Sequence, residues 1–370
     1  MPQASAVKKQ AQRARRQADP RPQAPKTLSD VQLQNSDCLS LMEESMLLHD
    51  NMDNDNRIIL FGTQTCVQAL EKSSSWGIDG TFDSCPQLFS QLVTIHAEFN
   101  SSNLNDNNVW AFPCLWVLLT SKEQSTYESL LSIITTFGAF CPDNIMVDFE
   151  LGLRNALSRA FPATKIDGCY FHFCQSLMRH VNDLGLKKRY ERVNVSVNGI
   201  RSYSRTRIWI RRLMSLAFVP AENVISAFHS VLADIPEDLD IDAFLNYFQA
   251  TWVEGISSAR RNGRARYPPE TWNVRARTML MMSRTNNHLE AFHNAFKQKV
   301  GHSNPTIWGF IAGMRLQQSA SDNIMAAIAV GDKPPRRNAR DIKKSDRLLY
   351  VTSQYESKPL LEFLDLIADI

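Results

Sequence analysis

The sequence lacks any run of about 18 or more apolar residues, so no conventional membrane-spanning helix is predicted. No apolar segment follows the basic N-terminus, and a secretory signal peptide is therefore not predicted either. The net charge is only +3, which is too small in itself to indicate a polyanionic partner. We expect an intracellular protein without membrane contact, whose functional signals lie in local patterns.

The chain also has few cysteines for its length, and their context does not predict a disulfide framework. Seven occur in 370 residues, at positions 38, 66, 85, 114, 141, 169 and 174. Without a secretory context, reduced thiols are the better interpretation. Most of them are expected to be small buried apolar residues.

Composition and length predict a globular protein with more than one structural part. Hydrophobic residues make up 44% and charged residues 21% of 370 residues, which suits one large domain with an insertion or two ordinary domains. Residues 1–26 carry seven basic side chains against Asp19 alone and predict a disordered basic tail. Residues 27–56 form a polar lead-in segment.

From residue 57 the patterns predict a mixed α/β (α+β) core. "RIILFGTQTCVQALEKS" predicts a short strand followed by a helix. Three strands in succession with short connections then indicate an antiparallel meander, after which strands and helices alternate, giving the order β-β-β-α-β-α-β-α to residue 185. Residues 186–282 predict an all-helical insertion, and residues 283–330 return to the core. Residues 331–370 predict a basic, proline-containing linker and a C-terminal helix or pair of turns.

Two apolar strands each end in an aspartate. "SSSWGIDGTF" delivers Asp79, and "NIMVDFE" delivers Asp148. Carboxylate oxygens are the ligands that Mg2+ prefers, and a pair of such ions can support in-line phosphoryl transfer. Each aspartate could instead cap a turn at the end of its strand.

A third carboxylate is expected to complete such a site, and Glu290 in "TNNHLEAFHNAFK" is the best candidate. Helical spacing places it on a polar face with Lys297, which could contact phosphate. The alternative is structural, because Asn287 and Glu290 have the spacing of a capping box.

Cys169 and His172 form a C-x2-H pair, which is half of a tetrahedral zinc site. His288 and His293 would supply the missing half if their helix packed against this segment. A buried thiol and a hydrogen-bonded histidine are the preferred interpretation, so Zn2+ is the less favoured metal.

The insertion concentrates positive charge among aromatic residues, a pattern that suits a surface following a phosphate backbone and stacking on bases. A solvated helix face with core aromatics is the alternative. The candidate DNA-binding residues are Arg211, Arg212, Arg260 and Arg261, together with Lys297. The aromatic residues between them are Tyr203, Trp209, Trp252, Tyr267 and Trp272.

Taken together, these motifs resemble the transposase domain of Mutator-like elements (MULE), a group of DDE transposases. The resemblance runs from about Asn56 to Lys299 and is weaker between residues 186 and 280. It rests on the DGTF block, the D-x-E block that continues to the C-x2-H pair, and "NNHLEAFH", in this order.

The resemblance implies an RNase H-like core with a mixed five-stranded sheet flanked by helices and interrupted by the helical insertion. It implies that Asp79, Asp148 and Glu290 hold Mg2+, or Mn2+ in its place. The activity would be metal-dependent cleavage of DNA and transfer of its strands, with transposon ends and target DNA as partners. A nuclear location and a homo-oligomer on DNA are also expected.

One feature of the family is not matched. Members usually carry an N-terminal zinc-binding module that recognises the element's ends, whereas residues 1–56 contain only Cys38 and His49 as candidate ligands. Two ligands cannot form a tetrahedral zinc site. The alternative function is therefore a truncated or domesticated transposase-derived protein that binds DNA or chromatin without mobilising an element.

Overall fold

The computed structural model describes residues 23–100, 108–195, 201–235, 242–255, 263–301 and 304–370. The predicted disordered tail lies almost wholly outside these ranges, and so do Arg260 and Arg261. No helix within the described ranges has the length and apolar character needed to cross a bilayer.

A seven-stranded mixed sheet forms the centre of the fold, in the order β1-β2-β5-β4-β3-β6-β7. The strands β1 to β5 pair antiparallel along this order, whereas β6 is parallel to β3 and β7 is parallel to β6. The strands are β1 Leu47–Asp50, β2 Ile58–Phe61, β3 Ser75–Thr81, β4 Gln91–Asn100, β5 Val109–Leu119, β6 Asn144–Val147 and β7 Lys165–Gly168.

The predicted mixed fold is confirmed, with two more strands in the sheet than the five expected. The strands β3 to β7 make the predicted meander and its parallel extension. Two further strands, β2 and β1, continue the sheet beyond β5. The lead-in segment therefore contributes β1 to the sheet, where its short, polar strand gave no alternating pattern to detect.

The helices follow the strands along the chain. They are α1 Gln64–Lys72, α2 Gln124–Ile134, α3 Leu151–Ala160, α4 Tyr170–Asp183, α5 Lys187–Glu191, α6 Arg205–Ser215, α7 Val224–Leu232, α8 Asp242–Phe248, α9 Arg275–Met279, α10 Asn287–Val300, α11 Ile307–Ala329, α12 Ala339–Ser353 and α13 Leu360–Ala368. Short 3-10 and π turns join several of them.

Helices cover both faces of the sheet, which explains the long apolar run of β5. On one face, α1, α2 and α3 bury residues such as Leu70, Leu130 and Leu157. On the other face, α10 and α11 bury Phe296 and Phe310 against the sheet. A strand that is buried on both sides needs no polar face, so its sequence is apolar throughout.

The insertion has its own core, and four of its five aromatic residues lie in that core. Trp209, Trp252 and Trp272 are fully buried and Tyr267 is nearly so, whereas Tyr203 is exposed. This agrees with the core interpretation of the aromatics rather than with base stacking.

The insertion is not all-helical as predicted, because it contains a two-stranded hairpin. The hairpin is formed by β8 Val193–Val195 and β9 Arg201–Tyr203, which pair antiparallel. Strands of three residues are too short to show a period of two in the sequence.

The C-terminal segment forms two helices, and both pack against the insertion. Leu348 of α12 and Phe363 of α13 belong to the hydrophobic core of the insertion. Arg212 of α6 also forms a bidentate ion pair with Asp365, at 2.6 and 2.7 Å. The insertion and the C-terminal helices therefore share one hydrophobic core, although their residues are more than a hundred positions apart in the sequence.

Candidate active site

Asp79 and Asp148 lie at the same edge of the sheet, on neighbouring parallel strands. Gly77 of β3 is paired with Met146 of β6, so Asp79 and Asp148 are each two positions further along their strands. Adjacent strands are about 4.8 Å apart. The two carboxylates are therefore brought to one place by the sheet, as the sequence predicted.

Each aspartate also uses one oxygen for a local backbone contact. Oδ1 of Asp79 accepts a hydrogen bond from the amide of Gly80 at 2.9 Å, and Oδ1 of Asp148 accepts one from the amide of Glu150 at 3.1 Å. The contact of Asp148 is that of an Asx turn, whereas Asp79 lies within β3, whose pairing with β4 continues to Thr81, and so it does not cap a turn. Both contacts leave the second oxygen of each carboxylate for other partners.

Glu290 lies in the first turn of α10, which packs directly on β3. A side chain at Gly77 would meet Leu289 of α10, since an added Cβ atom would lie 2.8 Å from Leu289 Cδ1. The glycine thus permits the close approach of helix and strand that brings the Glu290 helix to the aspartates. This is a requirement for space, not for an unusual backbone angle.

The capping-box interpretation of Glu290 does not match the structure. The residue that caps α10 is Asn286, and its side chain makes no capping hydrogen bond. Asn287 is already inside the helix. The carboxylate of Glu290 is instead 3.7 Å from Nε2 of His172.

Histidines lie close to two further carboxylates of this region, Asp79 and Glu98. His293 Nε2 lies 3.3 Å from Asp79 Oδ2, and His288 Nε2 lies 3.1 Å from Glu98 Oε1. His288 and His293 therefore face carboxylates and do not complete a zinc site with the C-x2-H pair. Within the described residues, no group of three histidine, cysteine or acidic side chains is arranged to hold a metal ion.

The C-x2-H pair connects the helix of His172 with the helix of Glu290. Cys169 is the residue before α4, is fully buried, and its sulfur accepts a hydrogen bond from the amide of Asn286 at 3.3 Å. His172 lies in the first turn of α4 and faces Glu290. The pair thus links the starts of α4 and α10 and positions the third acid.

Burial and mutual repulsion dominate the electrostatics of the acids. Burial, reinforced by the charge of Asp79, raises the pKa of Asp148. Burial and the charge of Asp79 also raise the pKa of Glu290, against the opposing effect of His172. The charge of Asp79 therefore acts on both other acids, and the negative charges of the site oppose one another through it.

His172 supplies positive charge to the same place. Burial alone would lower its pKa, but the hydrogen bond with Cys169 and the nearby Asp79 and Asp148 outweigh burial and raise the pKa to about 9. His172 is therefore an imidazolium at neutral pH, and it offsets part of the charge of the acids.

The donor set fits a hard divalent cation. Asp79, Asp148 and Glu290 offer oxygen ligands from three elements. The pKa values of Asp148 and Glu290 are raised first by burial and further by the charge of Asp79, and a bound cation would favour the ionised form of both acids. Mg2+ keeps several water ligands and needs only one or two carboxylates from the protein. A preformed group of three ligands is therefore not a requirement for this fit.

The sequence did not reveal the residues that fix the turn after β6, where Asp148 lies. The hydroxyl of Tyr127 contacts Glu150 at 2.6 Å and Gln91 at 2.8 Å, which fixes the turn after β6. Arg154 is buried and donates to the carbonyl of Ile166 at 2.9 Å beside the same turn. The "D-x-E" spacing was visible, but the partner of Glu150 lies 23 positions earlier and has no motif of its own.

The predicted DNA-binding residues have different surroundings. Arg212 is engaged in ion pairs with Asp234 and Asp365, and Lys297 forms an ion pair with Asp83 at 2.7 Å. Arg211 is half-buried and has no carboxylate partner among the described residues. Contact of these residues with DNA stays a prediction.

Comparison with protein families gives one match. Residues 75–176 match the MULE transposase domain, and this confirms the resemblance over that segment. The matched segment contains Asp79, Asp148, Cys169 and His172, and it ends before Glu290. No curated protein matches the sequence. The match relates this part of the chain to transposases.

Proposed function

We propose that the protein is a metal-dependent DNA transposase that cleaves DNA strands and joins them to a target through Asp79, Asp148 and Glu290. One observation carries the proposal. The parallel register of β3 and β6 puts two strand-end aspartates side by side within the segment that resembles the MULE domain, and α10 brings Glu290 to the same edge.

The side chains of the chain itself would bind and orient the reactants. Asp79 and Asp148 would hold Mg2+ or Mn2+ between the strand ends, and Glu290 would complete the site from α10. When bound, two such ions activate the attacking oxygen and stabilise the leaving oxygen of an in-line phosphoryl transfer. No covalent bond between protein and DNA is needed.

The imidazoles of His172 and His293 would assist the acids. His172, charged at neutral pH, lies 3.7 Å from Glu290 and offers a positive charge to a phosphate that approaches the acids. His293 contacts the one oxygen of Asp79 that the backbone does not use. It would hold that carboxylate in a fixed orientation or give way when the acid binds an ion.

The test is a nicking and strand-joining assay on supercoiled plasmid and on short pre-cut duplexes, with Mg2+ or Mn2+. We expect activity that requires metal and is lost in Asp148→Asn and in Glu290→Gln. Asp143→Asn is the matched control, because Asp143 precedes β6 at its other end and is exposed. Activity that survives both substitutions in the acids would disprove the assignment of the site.

A second candidate function is a transposase-derived protein that binds DNA or chromatin without cleaving it. It is favoured by the scarcity of candidate zinc ligands in residues 1–56, where only Cys38 and His49 occur. A wild-type protein that binds DNA but neither nicks nor joins it with either metal would support this function. Light scattering with and without DNA tests the expected homo-oligomer.

A further inference from the structure

A cleft of about 430 Å³ opens beside the first turn of α10. Its walls come from the segment before α10, from the start of β5 and from α12. Asn287 and His288 belong to its lining, and Glu290 is on the same turn of the helix. Tyr170, the first residue of α4, also lines it, so the cleft adjoins both helices that carry the acid and the imidazolium.

Three basic side chains line this cleft: Arg284, Arg337 and Lys344. Arg284 Nη2 and Arg337 Nη2 both donate to the hydroxyl of Ser345, at 3.3 and 2.9 Å. Lys344 lines the cleft next to them. Among the described residues, no carboxylate lies within 4.0 Å of any of these three cations, although Asp341 is also in the lining.

Two guanidinium groups that share one neutral hydroxyl are an unfavourable arrangement without an anion. Burial, together with the charge of Arg337, lowers the pKa of Arg284. Guanidinium groups bind phosphate oxygens with two parallel hydrogen bonds, and a phosphate would replace the repulsion by attraction. The charge of the cleft therefore fits an anionic group, and its geometry fits phosphate.

The cleft is larger than a phosphate needs, and part of its wall is apolar. Met281, Met282 and Leu348 form this part of the lining. A volume of this size is within the range of ligand pockets, which starts at about 300 Å³. An apolar wall next to a phosphate position suits a nucleoside, which presents a flat apolar face to side chains.

We propose that this cleft binds a phosphate of a DNA strand, with the adjoining nucleoside against the methionine wall, and that it guides the strand to the carboxylates. The proposal rests on the proposed function, because it names where the DNA substrate of that site is held. The shared ligand chemistry is a phosphate group, which a small phosphate compound would also offer.

The experiment measures binding of a fluorescent single-stranded oligonucleotide by anisotropy, in EDTA and at several salt concentrations. Arg337→Gln and Lys344→Gln should each raise Kd about tenfold, as expected for a lost hydrogen bond to a charged group. Each should also lower the slope of log K against log salt by about 0.7. Arg336→Gln and Lys343→Gln are the matched controls, because these neighbours are exposed and do not line the cleft.

The outcomes separate the alternatives. Equal weakening by the cleft variants and by their neighbours would show nonspecific attraction and overturn the proposal. Binding of inorganic pyrophosphate at micromolar concentration, with oligonucleotide affinity unchanged by Arg337→Gln, would identify a small phosphate compound as the ligand and overturn it too. Circular dichroism and thermal unfolding of each variant establish that the fold is intact.

Failure of the proposed function would look different. The binding assay contains no metal and needs no catalysis, so it gives a result even if the protein cleaves nothing. If the wild type cleaves nothing but shows the expected effects of Arg337→Gln and Lys344→Gln on binding, the proposal for the cleft stands and only the proposed transposase activity fails.

Discussion

Replacement of Gly77 by alanine tests whether the contact between β3 and α10 positions the third acid. The added Cβ would lie 2.8 Å from Leu289 Cδ1 and 3.3 Å from both Glu98 Oε1 and His288 Nε2. Leu289 is fully buried, so its methyl group has little room to turn away, and α10 must shift by a few tenths of an ångström. Overpacking of this kind costs about 1–3 kcal/mol of the free energy of unfolding.

Gly77→Ala should also slow the nicking reaction, in protein that is still folded. A displacement of about 1 Å at a reacting group can reduce a rate about 100-fold, so a shift of a few tenths of an ångström should reduce nicking about 3- to 10-fold while the protein stays folded at 25 °C. The assay is the rate of plasmid nicking with Mn2+, measured beside thermal unfolding of the same preparation.

A second glycine provides the control. An added Cβ at Gly152, in the first turn of α3, would meet its neighbours at 3.4 to 3.5 Å, which is ordinary contact. Gly152→Ala should therefore be neutral or stabilise the helix by up to about 1 kcal/mol. Unchanged nicking and unchanged stability in Gly77→Ala would refute the idea that this close approach positions Glu290.

Three further predictions concern the remaining ionisable groups. Arg277 and Asp167 form a buried ion pair at 2.7 Å, and Lys165 also contacts Asp167 at 2.8 Å. Because Lys165 still compensates part of the charge of Asp167, Arg277→Ala should lower the free energy of unfolding by no more than about 3 kcal/mol, and replacing both members of the buried pair by apolar residues should recover most of it in urea unfolding. Burial raises the pKa of Asp148 in the folded protein, so the ionised carboxylate lowers the free energy of unfolding at pH 7. Asp148→Asn should therefore raise the Tm in EDTA at pH 7. The difference in Tm between this variant and the wild type should disappear as the pH falls through the pKa of Asp148 in the folded protein. Excess Mg2+ should stabilise the wild type and not this variant, with about 2.7 kcal/mol expected at 100 times Kd. Burial raises the pKa of Cys38 to about 12, whereas Cys141 is exposed, so maleimide should label Cys141 first in the native protein; equal rates by peptide mapping would contradict the structure.

The sequence allowed the positions of the two aspartates to be predicted because strand ends are local features. An apolar run that stops at an acid can be recognised without knowing its partner strand, and "GIDGTF" and "IMVDFE" both have this form. The helix α2 connects β5 with β6, and this crossover returns the chain to the sheet beside β3, parallel to it. The mixed sheet flanked by helices was predictable for the same reason.

Other parts depend on contacts between distant residues, which leave no period in the sequence. Asn287 has the better capping-box spacing in the sequence, but Asn286 is the N-cap of α10, and its amide donates to the sulfur of Cys169, which lies 117 positions earlier. The cleft beside α10 combines residues from β5, the segment before α10 and α12, none of which carries a recognisable motif. Burial of the tryptophans was likewise decided by packing and not by their spacing.

The shared core of the insertion and the C-terminal helices has a consequence for synthesis of the protein. Phe363 and Leu364 complete a core that begins with Phe173 of α4, and Asp365 completes the ion pair of Arg212. A chain still on the ribosome would expose this apolar surface until Leu360–Ala368 had emerged. Long-range contacts of this kind slow folding and leave a nascent chain open to aggregation, so the helical region should be the part that depends most on chaperones during translation.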